Sequence, residues 1–149
     1  MADSINETNA LAQRMTQTQL NHMKESCQLG SLLFIQGEDS VLLCLYHHKR
    51  ALLSGEIMEK TGLTTGRIAN ILKQLERKRL IERVQDAGDK RRVHVSLTES
   101  GAAQAAQLYQ ESEERFRKLF TCLGLEDSQE LMRIIDLCLL HKAEKKRRA

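Results

Sequence analysis

Residues 64–97 read TTGRIANILKQLERKRLIERVQDAGDKRRVHVSL and set the architecture of this chain. The apolar residues of the first half recur with a helical period and predict a helix from Thr65 to about Arg79. At about 100° per residue, four side chains fall within one arc that must face a core: Ile68, Ile71, Leu72 and Leu75. The opposite face has no acidic side chain and carries Gly66, Asn70, Lys73 and Arg77, flanked by Arg67, Ala69 and Gln74.

This polar face has the side chains that a helix in the major groove of DNA needs. Arginine pairs with guanine O6 and N7, and asparagine or glutamine pairs with adenine N6 and N7. Gly66 removes bulk where such a helix approaches its target. Thr64, Thr65 and Arg67 crowd the first turn, where backbone N–H groups favour phosphate. The alternative interpretation is an ordinary amphipathic helix with a solvated basic face.

The second half of the stretch predicts a β-hairpin. Residues 80–84 form one strand, Asp86 to Asp89 has turn residues, and Val93 to Leu97 alternates with period two as the return strand. Three basic residues occupy the tip: Lys90, Arg91 and Arg92. Their mutual repulsion is relieved by a phosphate pair or an electronegative minor groove, and Asp89 is placed to hold Arg91 extended. The alternative is a turn kept soluble by charge.

Helical patterns surround this unit on both sides. They predict a first helix over about residues 4–28 and a second over 38–48, then a short third helix capped by Ser54 and a fourth capped by Thr64. A fifth helix begins after the cap Thr98 and ends before Gly124, and a sixth begins at Asp127 or Ser128. This order predicts a mainly α fold with a small β-hairpin wing, in which a winged helix-turn-helix is embedded in an α-helical dimerisation frame.

The chain divides into three predicted regions. Residues 1–37 hold an N-terminal dimerisation helix and its connector, 38–101 hold the winged helix-turn-helix, and 102–149 hold C-terminal dimerisation helices with a basic tail. The fifth helix repeats Ala102, Tyr109, Phe116 and Leu123 at intervals of seven, and the sixth is apolar on several sides. A second copy of the chain is the expected cover, and burial within one chain is the alternative.

Charge and cysteine content bound the function further. The net charge is only +3, but residues 64–92 hold nine Lys/Arg against four Asp/Glu, and residues 142–149 hold five against one. Two basic blocks on an otherwise acidic chain indicate a polyanion-binding surface.

The N-terminus lacks signal-peptide features and no apolar run approaches a membrane span, so we expect a cytoplasmic protein. The four cysteines show no CxxC pair and are expected to be reduced and mostly buried: Cys27, Cys44, Cys122 and Cys138.

Five segments together resemble the MarR family of bacterial regulators. They are Leu52 to Met58, Thr64 to Lys78, Leu80 to Arg83, Asp86 to Arg92 and Val95 to Gly101, the last of which contains LT-x-x-G. The resemblance implies an obligate dimer joined by the first, fifth and sixth helices, with recognition helices in major grooves and wings in the flanking minor grooves. It also implies that Arg91 enters the minor groove with Asp89 as its partner. At Arg79 the family usually has glycine, so Arg79 must adopt a left-handed conformation or shift the helix end.

We therefore predict a sequence-specific regulator of transcription that binds a pseudo-palindromic operator in duplex DNA as a homodimer. The residues assigned to DNA are Thr64, Thr65, Gly66, Arg67, Asn70, Lys73, Gln74, Arg77, Asp89, Lys90, Arg91 and Arg92. The resemblance implies a repressor that is released by a small-molecule effector. The alternatives are a thiol-based redox sensor of the same fold, with Cys27 as its thiol, and a winged helix that contacts only protein.

Enzymatic and metal-dependent functions lack the motifs they need. The sequence has no glycine-rich phosphate loop, no nucleophile motif and no paired-carboxylate motif, so we expect no enzyme. The histidines and cysteine of the first half do not have metal-ligand spacing: His22, Cys27, His47 and His48. We therefore expect no metal, no cofactor and no membrane contact.

Overall fold

The computed structural model of the chain describes residues 2–22, 35–89 and 92–148. In order, the elements are α1 (Ala2–Asn21), α2 (Gly37–His48), β1 (Leu52–Leu53), α3 (Ser54–Thr61), α4 (Thr65–Arg77), β2 (Ile81–Gln85), β3 (Val93–Leu97), α5 (Glu99–Leu123) and α6 (Leu125–Arg148). The predicted class, mainly α with a small β-hairpin wing, is confirmed. None of the helices in the described ranges is long and apolar enough to cross a membrane.

Helices α2, α3 and α4 pack around one apolar core. Four of its side chains, at most 2% exposed, come from α2 and α3: Val41, Leu42, Leu45 and Ile57. The apolar arc of α4 faces this core as predicted, with Ile68, Leu72 and Leu75 buried. Ile71 lies at the edge of the arc and is only partly buried. Because the apolar arc is held inside, the polar face of α4 is left outside.

Three antiparallel strands in the order β1-β3-β2 close the core. The wing hairpin runs from Ile81 opposite Leu97 to Gln85 opposite Val93, and β1 places Leu52 opposite the buried Val95. The sequence does not predict β1, because two residues are too few to show strand alternation. The predicted first wing strand at residues 80–84 is one residue too early.

The corner between α4 and the wing depends on the backbone. Helix α4 ends at Arg77 rather than at about Arg79, and Arg79 has a left-handed φ of 59°. Both alternatives expected at Arg79, a left-handed conformation and a shifted helix end, therefore occur together. Thr98 caps α5 as predicted: its hydroxyl accepts from the Gly101 N–H at 3.0 Å and donates to the Arg79 carbonyl at 2.7 Å. A Cβ on Gly101 would lie 1.8 Å from the Leu80 carbonyl oxygen, so this close approach requires glycine.

Two predicted helix starts are wrong. Ser54 is the first residue of α3 and not its cap; the cap is Leu53, whose N–H donates to Glu56 Oε2 at 2.8 Å. Helix α6 begins at Leu125, directly after Gly124, and not at Asp127 or Ser128. Ser128 is instead buried, and its hydroxyl donates back to the carbonyls of Gly124 and Phe120.

The first predicted helix is only partly within the described ranges. Helix α1 ends at Asn21, and the predicted continuation from residue 23 to residue 28 lies outside the described residues, as does most of the connector. Every side chain described in α1 is exposed, including Leu11, Met15 and Leu20.

The prediction that the cysteines are mostly buried is wrong for two of them. Cys122 and Cys138 are exposed, because they lie on faces of α5 and α6 that the described part of the chain leaves uncovered. Cys44 is partly buried, and burial raises the pKa of its thiol. Cys27 lies outside the described residues.

Candidate nucleic-acid interface

The turn between α3 and α4 presents the N-terminus of α4 to solvent. Gly62 ends α3 with a φ of 69°, and its N–H donates to the Met58 carbonyl at 2.9 Å. Thr64 is the N-cap of α4 as predicted, since its carbonyl accepts from the Ile68 N–H at 2.9 Å, but its hydroxyl makes no capping hydrogen bond. The first turn has no acidic residue. Its N–H groups therefore remain available to an anion, which the helix dipole favours.

The polar face of α4 is termed here the recognition face. Its eight members are all exposed: Thr64, Thr65, Gly66, Arg67, Asn70, Lys73, Gln74 and Arg77. Five of these side chains make no hydrogen bond or ion pair with any residue that the structure describes: Arg67, Asn70, Lys73, Gln74 and Arg77. A Cβ on Gly66 would meet no atom within 4 Å, so the fold itself does not require glycine there.

Two cations outside the recognition face are paired. Lys78 Nζ lies 2.5 Å from Glu38 of α2, which ties the end of α4 to the start of α2. Arg50 lies 2.8 Å from Glu56, and this guanidinium, with the Leu53 N–H, lowers the pKa of Glu56 to about 2. The sequence does not reveal these ion pairs, because the partners are 40 and six positions apart and follow no local pattern.

One acidic residue borders the recognition face. Glu76 lines a shallow groove together with Asn70, Lys73, Gln74 and Arg77. Arg83 of β2 lies 3.4 Å from the Glu76 carboxylate and offsets its charge. The prediction that this side of α4 lacks acidic side chains therefore holds for the recognition face but not for its margin.

Asp86 orders the turn of the wing. Its Oδ1 accepts from the N–H groups of Gly88 at 2.8 Å and Asp89 at 3.1 Å, and its Oδ2 lies 2.9 Å from His94 Nε2. The hydrogen bond from His94 and, to a smaller extent, the two backbone hydrogen bonds lower the pKa of Asp86 to about 2. The sequence marks Asp86 only as a turn residue and does not single out His94.

The basic residues of the wing tip are only partly within the described ranges. Asp89 and Arg92 are exposed, and the Arg92 N–H donates to the Asp89 carbonyl at 2.8 Å. Lys90 and Arg91 lie outside the described residues. The contact between Asp89 and Arg91 therefore stays a prediction.

A cavity of about 410 Å³ lies where α2, β3 and α5 meet. Its polar lining includes Tyr46, Lys49 and Arg50, next to Leu45 and Leu97. The Lys49 ammonium beside apolar side chains suits a small anion with an apolar body, whereas the Arg50 guanidinium is already paired with Glu56. This is the position where the described chain offers room for the predicted effector.

The histidines form no metal site in the part of the chain that the structure describes. The rings of His47 and His48 pack edge to face with centroids 5.2 Å apart. His48 Nδ1 lies 2.8 Å from the Cys44 carbonyl oxygen. Within the described ranges, no three His, Cys, Asp or Glu residues come together as metal ligands would.

Helices α5 and α6 form a hairpin with an uncovered apolar groove of about 1290 Å³. Phe116 and Phe120 line it, with stacked rings whose centroids are 6.1 Å apart. Leu125 is 77% exposed, and Leu139 and Leu140 are each 60% exposed. A large exposed apolar groove of this kind marks an interaction site on a protein surface.

The chain is similar in sequence to bacterial transcriptional regulators. The sequence profile of the MarR family matches residues 40–92, from α2 to the wing. Over 61 residues, the chain is 38% identical to the uncharacterized HTH-type transcriptional regulator YwaE of Bacillus subtilis (strain 168). The matched segment covers 41% of this chain and 36% of that protein. The match thus spans about a third of the length of the curated relative.

The fold is also similar to solved structures. MepR from S. aureus in complex with DNA has a TM-score of 0.64 and 26% identity, over 89% of this chain and 96% of MepR. A single-residue mutant of MarR from E. coli has a TM-score of 0.60 over 82% of this chain and 95% of that one. At 24% identity, the second likeness shows the fold alone.

Proposed function

We propose that the chain, whose residues 40–92 match the profile of the MarR family, is a winged helix-turn-helix regulator of that family that binds duplex DNA sequence-specifically and regulates transcription. One observation carries the proposal. Five exposed polar or basic side chains of the recognition face have no partner among the described residues, whereas Arg50, Lys78 and Arg83 outside this face each pair with a glutamate. MepR, to which the chain is similar in fold, was solved in complex with DNA, and this supports DNA binding by the chain.

The recognition face divides into groups that read bases and groups that hold phosphates. Asn70 and Gln74 lie one helical turn apart on α4, where their amides suit adenine N6 and N7. Arg67, Lys73 and Arg77 supply charge for guanine or phosphate. The N–H groups after Thr64 add a phosphate site at the helix start. In the family's manner, Arg91 enters the flanking minor groove with Asp89 as its partner, and Lys90 and Arg92 lie beside it at the wing tip.

Asn70→Ala tests base reading, and Gln104→Ala, at an exposed site of α5, is its matched control. We expect Asn70→Ala to cost about 1–3 kcal/mol on the selected duplex and to relax preference at one or two base pairs. The control should bind as the parent does. Equal affinity of the parent for selected and scrambled duplexes, titrated by fluorescence anisotropy, would contradict sequence-specific binding.

We propose that the binding species is a homodimer. The uncovered groove between α5 and α6, together with Leu11, Met15 and Leu20 of α1, supports a second copy as the cover. A dimer with one recognition helix per subunit requires an operator with dyad symmetry. Light scattering of the free protein should give twice the chain mass of 17.0 kDa, and a monomer that still binds DNA argues against the dimer.

We propose, more specifically, repression that a small anionic molecule relieves. The cavity beside Tyr46 and Lys49 supports this mode, because it lies where α2 and the wing strand β3 meet α5. Benzoate is a suitable probe, since it combines a carboxylate with an apolar ring. Millimolar benzoate should weaken DNA binding by the parent and not by Lys49→Gln; equal effects on both proteins would remove this cavity from the proposal.

The two alternative functions predict different results. A winged helix that contacts only protein should show no preference for duplex DNA. Such a module does not need the unpaired basic side chains of the recognition face. A thiol sensor requires a reactive thiolate, and the raised pKa of Cys44 works against that role for this residue. Cys27→Ser tests the thiol sensor that uses Cys27. DNA binding by such a sensor should respond to peroxide in the parent and not in Cys27→Ser, whereas DNA binding by a ligand-released regulator should not respond to peroxide in either protein.

A further inference from the structure

Asp86 and His94 join the two sides of the wing turn, and this pair is termed the wing latch. Asp86 directly follows β2, and His94 is the second residue of β3, with its Nε2 2.9 Å from Asp86 Oδ2. An ionised carboxylate only accepts hydrogen bonds, so Nε2 carries the proton and donates. The other carboxylate oxygen accepts from the N–H groups of Gly88 and Asp89. One carboxylate thus connects β3 to the turn.

The wing latch is not part of the apolar core. The side chains of His94 and Asp86 are 40% and 30% exposed, whereas the next residue along β3, Val95, is fully buried. In the sheet, His94 lies between Leu53 of β1 and Val84 of β2. Apolar neighbours on both sides favour an apolar residue at this position. The imidazole therefore serves the hydrogen bond to Asp86 better than it serves packing.

The same turn holds both ends of the wing tip. The Arg92 N–H donates to the Asp89 carbonyl at 2.8 Å, and the Asp86 N–H donates to the Arg92 carbonyl at 2.9 Å. The sequence places Lys90 and Arg91 between these ends. Fixing the ends of a binding loop before contact reduces the conformational entropy that the loop loses on binding.

We infer that the wing latch positions the basic wing tip for DNA, and that His94 is a positioning residue for DNA binding. This inference rests on the proposed function. The wing holds backbone and minor-groove contacts, whereas α4 holds base contacts. Loss of the latch therefore weakens binding to duplexes of many sequences and leaves the base preference of α4 unchanged.

Three variants test the inference. His94→Leu removes the donor, and His94→Gln keeps an amide N–H that reaches the position of Nε2. Ser96→Ala, two residues further along β3, is the matched control. Because the pair is partly exposed, we expect His94→Leu to weaken binding about twofold to fivefold on selected and scrambled duplexes alike. His94→Gln should recover most of the affinity, and the control should bind as the parent does.

Hydrogen exchange of the free protein gives a second readout. The amide protons of Gly88 and Asp89 should exchange faster in His94→Leu than in the parent and slow again in His94→Gln. Unchanged affinity in His94→Leu overturns the inference, whether or not exchange changes, and so does an equal loss of affinity in both His94 variants. A parent that binds no duplex DNA overturns the proposed function and this inference together, whereas a binding parent with an unaffected His94→Leu overturns the inference alone.

Discussion

Single residues separate into those that hold the fold and those that are offered to a partner. Lys78 and Arg83 each pair with a glutamate, and exposed pairs of this kind contribute about 0.2–1 kcal/mol. Lys73 and Arg77, on the same helix as the paired Glu76, have no such partner among the described residues. Removing a cation that holds nothing in the fold costs little stability, so its effect on binding can be read without interference from unfolding.

We expect Lys73→Ala and Arg77→Ala to weaken DNA binding while the urea midpoint stays unchanged. Each lost phosphate contact should flatten the dependence of log affinity on log salt by about 0.9. Anisotropy titrations at several salt concentrations measure this slope. Lys118→Ala, whose ammonium lies 4.0 Å from Glu114 on α5, is the control and should keep the parental slope. A parental slope in both recognition-face variants would remove Lys73 and Arg77 from the interface.

Gly66→Ala tests how closely α4 approaches its target. An alanine methyl meets no atom of the fold, so the variant should be more stable by about 0.5–1 kcal/mol. Against a closely packed DNA surface, the same methyl should cost about 1–3 kcal/mol of binding. Gly55→Ala in α3 is the matched control, since its Cβ also meets open space. If Gly66→Ala binds DNA as tightly as Gly55→Ala, α4 does not dock through its first turn.

Between elements, one corner connects the recognition helix to the wing. Arg79 turns the chain out of α4, and its carbonyl accepts from the Thr98 hydroxyl at the start of α5. Gly101 lets α5 approach the Leu80 carbonyl. Backbone packing in this corner therefore helps to orient the wing relative to α4, together with the ion pair between Arg83 and Glu76.

Gly101→Ala should destabilise the whole domain. The added Cβ would lie 1.8 Å from the Leu80 carbonyl oxygen, so either α5 or the corner must move. Overpacking of this kind costs about 1–3 kcal/mol or more, which a urea unfolding series measures. Gly55→Ala, with open space at its Cβ, is again the control. Parental stability of Gly101→Ala would show that the corner adjusts freely and does not set the angle of the wing.

The Glu56 carboxylate joins β1 to α3 and predicts a pH dependence. Its pKa is lowered from 4.5 to about 2 in the folded chain, chiefly by the hydrogen bond from Arg50. A carboxylate whose pKa is lower in the folded than in the unfolded state contributes its full stabilisation of the fold above the unfolded pKa. This contribution is lost as the pH falls through the folded pKa. Glu56→Gln should therefore be less stable than the parent at pH 7, with a difference that shrinks below about pH 4.5. Glu126→Gln, at an exposed site of α6, should match the parent; a pH-independent difference for Glu56→Gln would contradict the assignment.

The sequence predicts what depends on local pattern and fails where distant partners decide. The apolar arc of α4, the cap Thr98 and the break at Gly124 follow from nearby residues, and the structure confirms them. The left-handed Arg79 is one of two alternatives that the family resemblance implies, and it occurs together with the other, the shifted helix end. The strand β1, the pair of Lys78 with Glu38 and the bond from His94 to Asp86 depend on the folded arrangement. The exposed Cys122 and Cys138 differ from expectation because their apolar sequence neighbours predict burial, whereas the described residues leave both cysteines uncovered.

In the proposed dimer, the recognition face and the apolar hairpin of α5 and α6 have complementary roles. One chain presents one copy of α4 and leaves the groove beside Phe116 and Phe120 open. Covering that groove with a second chain related by a two-fold axis places two recognition helices in a fixed relation. The three regions predicted from the sequence, residues 1–37, 38–101 and 102–149, fit this division of roles, and their boundaries stay a prediction.

Selection of bound sequences from a random pool of duplex DNA tests both roles together. We expect an enriched motif with two inverted half-sites whose centres are about 10 bp apart, one for each recognition helix. The same selection with Asn70→Ala should yield a motif that has lost preference at one or two positions in each half-site. An enriched motif without dyad symmetry would contradict the dimeric arrangement, and a pool that shows no enrichment would contradict sequence-specific DNA binding itself.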